Sequence, residues 1–123
     1  MATHPIVHFE VYGEERDSLA QFYGDTFGWQ LHPMPEANYT LVTIGEDGLT
    51  GGGISGADDD FTGTIVYMSC PDIHAGVEKA VANGAEVVHP VETIPGMATF
   101  AILKDPQGNR FGLVDEVMPE AAD

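Results

Sequence analysis

The sequence predicts an α+β fold built from two βαβββ modules. Eight strands are expected to form a curved mixed β-sheet around a cleft, with helices on the outer face. Two observations support this prediction. The order strand, helix and three strands occurs twice along the chain, and His8 and Ile65 hold matching places about 57 residues apart. Two copies of such a long period indicate paired modules, since a solenoid needs three or more repeats.

The length of 123 residues suits a single domain. Within it the repeat predicts module one over residues 1–57 and module two over residues 61–118. A linker rich in glycine and aspartate joins them at residues 56–61, and an acidic tail follows at residues 118–123.

Residues 6–12 predict the first strand, because apolar and polar side chains alternate there. The apolar face carries Val7, Phe9 and Val11. The opposite face, which would line the cleft, carries His8, Glu10 and Tyr12.

Helical spacing of apolar residues predicts a helix near residues 17–27, with Leu19, Phe22, Tyr23 and Phe27 on one stripe and Gly28 ending it. A second helix is expected near residues 72–83. The remaining predicted strands are 29–31, 39–44, 50–55, 64–70, 87–88, 97–104 and 109–114.

Charge excludes some partners. Twenty acidic residues face four basic ones, for a net charge of −16, so nucleic acids and anionic membranes would be repelled. Three explanations stay open: a hydrated acidic surface of the halophilic type, an electronegative cleft for a cationic ligand, and an acidic disordered segment. The single cysteine, Cys70, forms no internal disulfide and is expected in the core. We therefore expect a cytoplasmic protein without a signal peptide or membrane span.

The segment DPQGNRFGL, residues 105–113, predicts a tight turn followed by a strand. Asp105, Pro106 and Gly108 suit the first, second and last turn positions. Gly112 interrupts the alternation that follows, and glycine at such a position leaves a hole in one face of a strand.

Four stretches together resemble the vicinal oxygen chelate superfamily. They are IVHFEVYG, SLAQFYGDTFGWQL, GGGISGA and FAILKDPQGNRFGLVDE, and with IPGM they span almost the whole chain. That superfamily includes glyoxalase I, extradiol dioxygenases, methylmalonyl-CoA epimerase and bleomycin-resistance proteins. The resemblance implies paired modules around a cleft, and commonly a homodimer. Whether one chain or a swapped dimer builds the cleft stays open.

The resemblance also implies where a metal site would lie. Metal-using relatives take His, Gln or Glu ligands from the first and last strand of each module. Here those positions fall on His8, on residues 53–55, on Ile65 and on Gly112. His8 is the only retained ligand, so we expect no metal and no other cofactor. Glu10 points the same way as His8, and a partial site made of these two residues is the alternative.

The predicted ligand-binding residues are those that alternation and the resemblance place on the cleft. They are His8, Glu10, Tyr12, Tyr39, Gly53, Tyr67, Met97, Arg110 and Gly112. The glycines at 52, 53 and 112 are expected to leave room for an organic ligand of modest size.

Three functions remain open. The first is metal-free binding of a small organic molecule, a cation being one option. The second is a lyase, isomerase or epimerase acting on a small carbonyl compound, with Glu10 or His8 as the acid-base catalyst. The third is a dimeric protein with a vestigial cleft.

Overall fold

A computed structural model describes residues 3–45, 50–56, 61–96 and 98–115. The elements occur in the order strand, helix, three strands, and then again in that order. They are β1 (Ile6–Gly13), α1 (Arg16–Phe27), β2 (Gln30–Met34), β3 (Tyr39–Ile44), β4 (Thr50–Gly56), β5 (Gly63–Ser69), α2 (Ile73–Ala82), β6 (Glu86–Ile94), β7 (Ala98–Lys104) and β8 (Arg110–Asp115). The predicted α+β class and the two βαβββ modules are confirmed. No helix in the described ranges is long and apolar enough to cross a membrane.

The chain forms two compact units. The first unit is His8–Ile65, and the second combines the chain up to Val7 with the chain from Val66 onward. Strands of the first unit lie in the order β2-β3-β4-β1, and those of the second in the order β5-β8-β7-β6. Each set of strands is mixed. Strand β1 is parallel to β4, and β5 is parallel to β8, whereas the other pairs described within each unit are antiparallel.

Helix α1 packs on the strands of the first unit. Ala20 is buried with Val42 and Ile54, and Phe9 and Val11 of β1 pack against them, as alternation predicted. Val7 at the start of β1 is exposed, so the apolar face of this strand is confirmed only from Phe9 onward.

Only two of the four apolar residues predicted to line one stripe of α1 pack on the core. Leu19 and Tyr23 reach the core, and the Tyr23 ring stacks on Trp29 at 4.6 Å. Phe22 and Phe27 are 53% and 62% exposed. Phe22 precedes Tyr23 by one residue, and the roughly 100° turn between neighbours carries its ring away from the strands. The helix ends as predicted: Gly28 adopts φ 74° and donates its N–H to the Gly24 carbonyl.

Helix α2 packs on the strands of the second unit. Its first residue, Ile73, is buried, and Val77 and Ala80 pack onto the same core, together with buried Cys70, Ala101, Leu103 and Leu113. The Asp72 carboxylate accepts the Ala75 N–H at 3.2 Å and caps the helix. Cys70 lies in the core as expected, and burial raises the pKa of its thiol.

The turn before β8 has the predicted geometry. Gly108 donates to the Asp105 carbonyl at 2.9 Å and adopts φ 93°. The Asp105 Oδ1 accepts the backbone N–H groups of Gln107 and Asn109, and the hydrogen bonds from Asn109 hold the pKa of this carboxyl below its usual range.

Candidate functional site

Polar side chains meet on one face of the first unit. His8, Glu10 and Tyr12 lie on the face of β1 opposite Phe9 and Val11, because side chains of a strand alternate. Glu10 is paired with Gly53 of β4, and Ser55 of β4 is paired with Tyr39 of β3. Tyr39 is therefore diagonal to Gly53, near enough for a long side chain to reach across.

A continuous chain of hydrogen bonds joins this cluster of four residues, His8, Glu10, Tyr12 and Tyr39, which we call the β1–β3 cluster. The Tyr39 hydroxyl donates to Oε2 of Glu10 at 2.9 Å, and the Tyr12 hydroxyl donates to Oε1 of the same carboxylate. Nε2 of His8 lies 2.9 Å from the Tyr39 oxygen and 3.6 Å from Oε2 of Glu10. Tyr39 thus bridges His8 and Glu10.

Gly53 makes the position of Tyr39 possible. A Cβ atom at residue 53 would lie 1.7 Å from the Tyr39 hydroxyl oxygen. Similarly, a Cβ atom at Gly52 would lie 2.4 Å from the Phe9 ring. The expectation that these glycines leave open space is wrong, since aromatic side chains of the chain itself fill the gaps.

The second unit repeats this arrangement. Tyr67 of β5 is paired with Gly112 of β8, and a Cβ atom at residue 112 would lie 2.2 Å from the Tyr67 ring. Tyr67 is only 3% exposed. The missing side chain at residue 112 therefore accommodates a buried aromatic ring, and the space expected at this position is filled.

Burial and the neighbouring carboxylate keep the Tyr39 hydroxyl protonated. Burial is the largest influence, and both the charge of Glu10 and the hydrogen bond to it raise the pKa of Tyr39 far above its ordinary value near 10. Because Tyr39 gives its one hydrogen to Glu10, the hydrogen bond with His8 needs a hydrogen on Nε2 of the imidazole.

This pKa shift predicts how stability depends on pH. The unfolded chain loses the Tyr39 proton above about pH 10 while the folded protein keeps it. The stability that the protonated Tyr39 hydroxyl gives the folded protein is therefore fully present below about pH 10. Above about pH 10, the free energy of unfolding should fall by up to about 1.4 kcal/mol per pH unit. Urea unfolding between pH 9 and about pH 11 checks this. Tyr39→Phe should lessen the fall, whereas Tyr23→Phe is the control; equal slopes in wild type and Tyr39→Phe would contradict the assignment.

The other predicted site residues do not all join the β1–β3 cluster. Gly53 lies beneath Tyr39, whereas Tyr67 and Gly112 contact each other in the second unit. Arg110 begins β8, where it is paired with Lys104. Met97 lies outside the described residues.

The remaining histidines lie outside the cluster. His4 contacts the Ser69 carbonyl, His32 contacts Thr43, and His89 contacts Glu92 at 2.6 Å. Strands β2 and β6 extend beyond the predicted ranges 29–31 and 87–88, so His32 and His89 lie within them.

The residues do not fit the metal site that the fold implies. Of the implied ligand positions, Ile65 is fully buried and apolar, and the places of Gly53 and Gly112 are closed by tyrosines. Among residues 3–45, 50–56, 61–96 and 98–115, no group of three or more His, Cys, Asp or Glu side chains is placed to hold a metal ion.

Sequence reasoning missed two supports of the cluster. Asn38 adopts φ 52° just before Tyr39, and its carbonyl accepts the Gly56 N–H, so it sets where β3 begins. An asparagine after a short proline-led turn is a signal for this conformation. Phe61 contacts the Tyr12 ring edge-on at 5.5 Å, and no local pattern indicates that contact.

Comparison with known proteins identifies the family of the chain. Residues 5–113 match the profile of the Glyoxalase/Bleomycin resistance protein/Dioxygenase superfamily. A glyoxylase-like domain-containing protein from Didymella fabae is 24% identical over 108 residues, which cover 81% of this chain and 84% of that one.

Solved structures share the fold. A member of the same superfamily from Vibrio splendidus 12B01 matches with a TM-score of 0.64 and 19% identity, covering 94% of this chain and all of the other. Methylmalonyl-CoA epimerase from Streptomyces coelicolor, in complex with 2-nitronate-propionyl-CoA, matches with a TM-score of 0.61 and 17% identity, covering 91% and 96%.

Proposed function

Because the chain belongs to the Glyoxalase/Bleomycin resistance protein/Dioxygenase superfamily, we propose that it binds a small organic molecule without a metal. The β1–β3 cluster is the binding site in this proposal. One observation carries it: the Tyr39 hydroxyl, seated over Gly53, bridges His8 and Glu10. A protein hydroxyl thus holds together the two residues that a partial metal site would use.

Exposure of the cluster supports binding. The side chains of His8 and Glu10 are 27% and 13% exposed, so both are packed yet reachable. A mostly buried carboxylate is stable only where polar partners compensate its desolvation, and two tyrosine hydroxyls do so here. Hydrogen bonds of this kind also fix the rotamers of a site before a ligand arrives.

The acid-base alternative has one point in its favour, since the bonds from His8 through Tyr39 to Glu10 form a continuous path for a proton. However, a lyase, isomerase or epimerase needs Glu10 or His8 to take a proton from the substrate. Both oxygens of Glu10 accept hydrogen bonds from tyrosine hydroxyls, so a substrate proton would compete with two hydrogens that this carboxylate already holds. We therefore rank binding above catalysis.

A ligand screen with and without chelator tests the proposal. Thermal unfolding of the protein is measured against a small-molecule library, in the presence and absence of EDTA. The proposal predicts ligands that raise the melting temperature equally in both conditions and bind at least about tenfold more weakly to Glu10→Gln.

The matched control is Glu92→Gln, which removes the same charge from a carboxylate that is also bonded to a histidine. Ligands should bind this variant as they bind wild type. Stabilisation that disappears with EDTA, or a library without any binder, would contradict metal-free binding.

A further inference from the structure

Two aromatic rings of α1 lie on the surface, outside both the core and the β1–β3 cluster. Every aromatic residue of the chain lies in the described ranges, and only Phe22 and Phe27 have exposed side chains, at 53% and 62%. Their ring centroids are 6.3 Å apart, and each ring also contacts Tyr23. We call Phe22 and Phe27 the α1 ring patch. Contiguous exposed apolar surface of this kind is typical of a surface that binds a partner.

The carboxylates of this region give the surface a negative charge. Asp25 lies three residues after Phe22, and this spacing makes the two side chains neighbours on a helix. Glu14 and Glu15, just before α1, are exposed as well. None of these three carboxylates forms a salt bridge with any residue that the structure describes. The α1 ring patch therefore has acidic neighbours whose charge is available to a partner.

Positive charge on α1 is confined to one paired group. Arg16 is the only lysine or arginine in the sequence between residues 8 and 65. Its side chain is only 12% exposed, and its guanidinium lies 2.8 Å from the Asp17 carboxylate. Lysines and arginines of a partner would be attracted to this surface, and they can also pack over the faces of exposed aromatic rings.

Charge and area together restrict what can cover the patch. A second copy of the chain brings another net charge of −16, and an anionic membrane is negative too, so both are repelled. The exposed parts of the two rings amount to roughly 200 Å². Each partner of a standard protein–protein interface buries about 800 Å². A short, positively charged segment therefore fits this surface better than a whole domain does.

We propose that the α1 ring patch is a docking site for a basic amphipathic helix of another protein. The apolar face of that helix would pack on Phe22 and Phe27, and its flanking lysines or arginines would pair with Asp25 and the acids before α1. Docking of this kind is independent of small-molecule binding, because none of these side chains belongs to the β1–β3 cluster.

Three synthetic peptides test this proposal. The first is an amphipathic helix of leucine and lysine, the second has glutamate in place of lysine, and the third has alanine in place of leucine. Trp29 is the only tryptophan in the chain and stacks on Tyr23 beneath the patch, so its fluorescence reports binding. We expect the leucine–lysine peptide to bind with a dissociation constant on the order of 10 μM. The other two peptides should bind at least about tenfold more weakly.

Substitutions on the two helices locate the binding. The double variant Phe22→Ser with Phe27→Ser should bind the leucine–lysine peptide at least about tenfold more weakly, as measured by calorimetry. Its fold should be retained, because both rings are exposed. The control is Val81→Ser on α2, which removes another exposed apolar side chain and should leave binding unchanged. Asp25→Asn should weaken binding about twofold, whereas Glu78→Gln on α2 should not.

Several results would overturn the proposal. Equal binding by wild type and the Phe22→Ser, Phe27→Ser variant would show that the peptide does not dock on the patch. A preference for the glutamate peptide, or no binding by any of the three, would rule out a basic partner helix. Sedimentation of the wild type as a dimer that the double variant does not form would make a second copy the occupant. Binding to phosphatidylglycerol vesicles that the double variant loses would instead make it a membrane.

Discussion

Replacing Gly112 with glutamate should lower the free energy of unfolding by about 3 kcal/mol and should create no metal site. The resemblance described above implies a metal-ligand position at residue 112, so the substitution offers a carboxylate where that ligand would lie. The Tyr67 ring lies 2.2 Å from where the new Cβ would be, and it is almost fully buried. Overpacking against a buried ring forces the strand or the ring to move. Urea unfolding measures the loss.

Coupling between residues 67 and 112 is the control for this prediction. The double variant Tyr67→Ala with Gly112→Ala should be more stable than the sum of the single effects implies, by roughly 1 kcal/mol or more, because removal of the ring relieves the clash. Additive effects would show that Tyr67 is not what makes glycine necessary. A metal that binds Gly112→Glu stoichiometrically would also contradict the prediction.

Replacing Gly53 with alanine should displace Tyr39 and disconnect His8 from Glu10. The new Cβ would overlap ring carbons of Tyr39 as well as its hydroxyl, so the whole ring must turn away, and the cost includes the loss of its two hydrogen bonds, about 2 kcal/mol. The ring nitrogen resonances of His8 should shift as they do in Tyr39→Phe. Nitrogen-15 NMR and urea unfolding check the two effects together.

Repeating the substitution in the Tyr39→Ala variant shows whether its cost depends on the Tyr39 ring. In Tyr39→Ala the clash is absent, so adding Gly53→Ala should cost well under about 1 kcal/mol. If Gly53→Ala were equally costly in both backgrounds, the strand conformation, and not the tyrosine, would be the reason for glycine at residue 53.

Local patterns were sufficient to predict the fold. Alternation in β1 placed Phe9 and Val11 in the core, and Gly28 marked the end of α1. Asp105 and Gly108 fixed the turn before β8, because their chemistry suits only certain turn positions. These signals depend on neighbours within a few residues, which the sequence shows directly.

The site was only partly predictable. Alternation correctly put His8, Glu10 and Tyr12 on one face, but it did not indicate that the Tyr39 hydroxyl bridges His8 and Glu10. That position depends on the register between β3 and β4, which alternation within a single strand does not specify. For the same reason, Gly53 gave no sign of the ring that covers it.

We infer that a tyrosine hydroxyl, and not a metal ion, joins His8 to Glu10. The most direct test is the metal content of the purified protein. The protein is expressed with added manganese, iron, nickel and zinc, purified without chelator, and analysed by mass spectrometry for bound metals. We expect less than about one-tenth of an ion per chain and a melting temperature that EDTA leaves unchanged. One ion per chain, lost in Glu10→Gln but kept in Glu92→Gln, would contradict it.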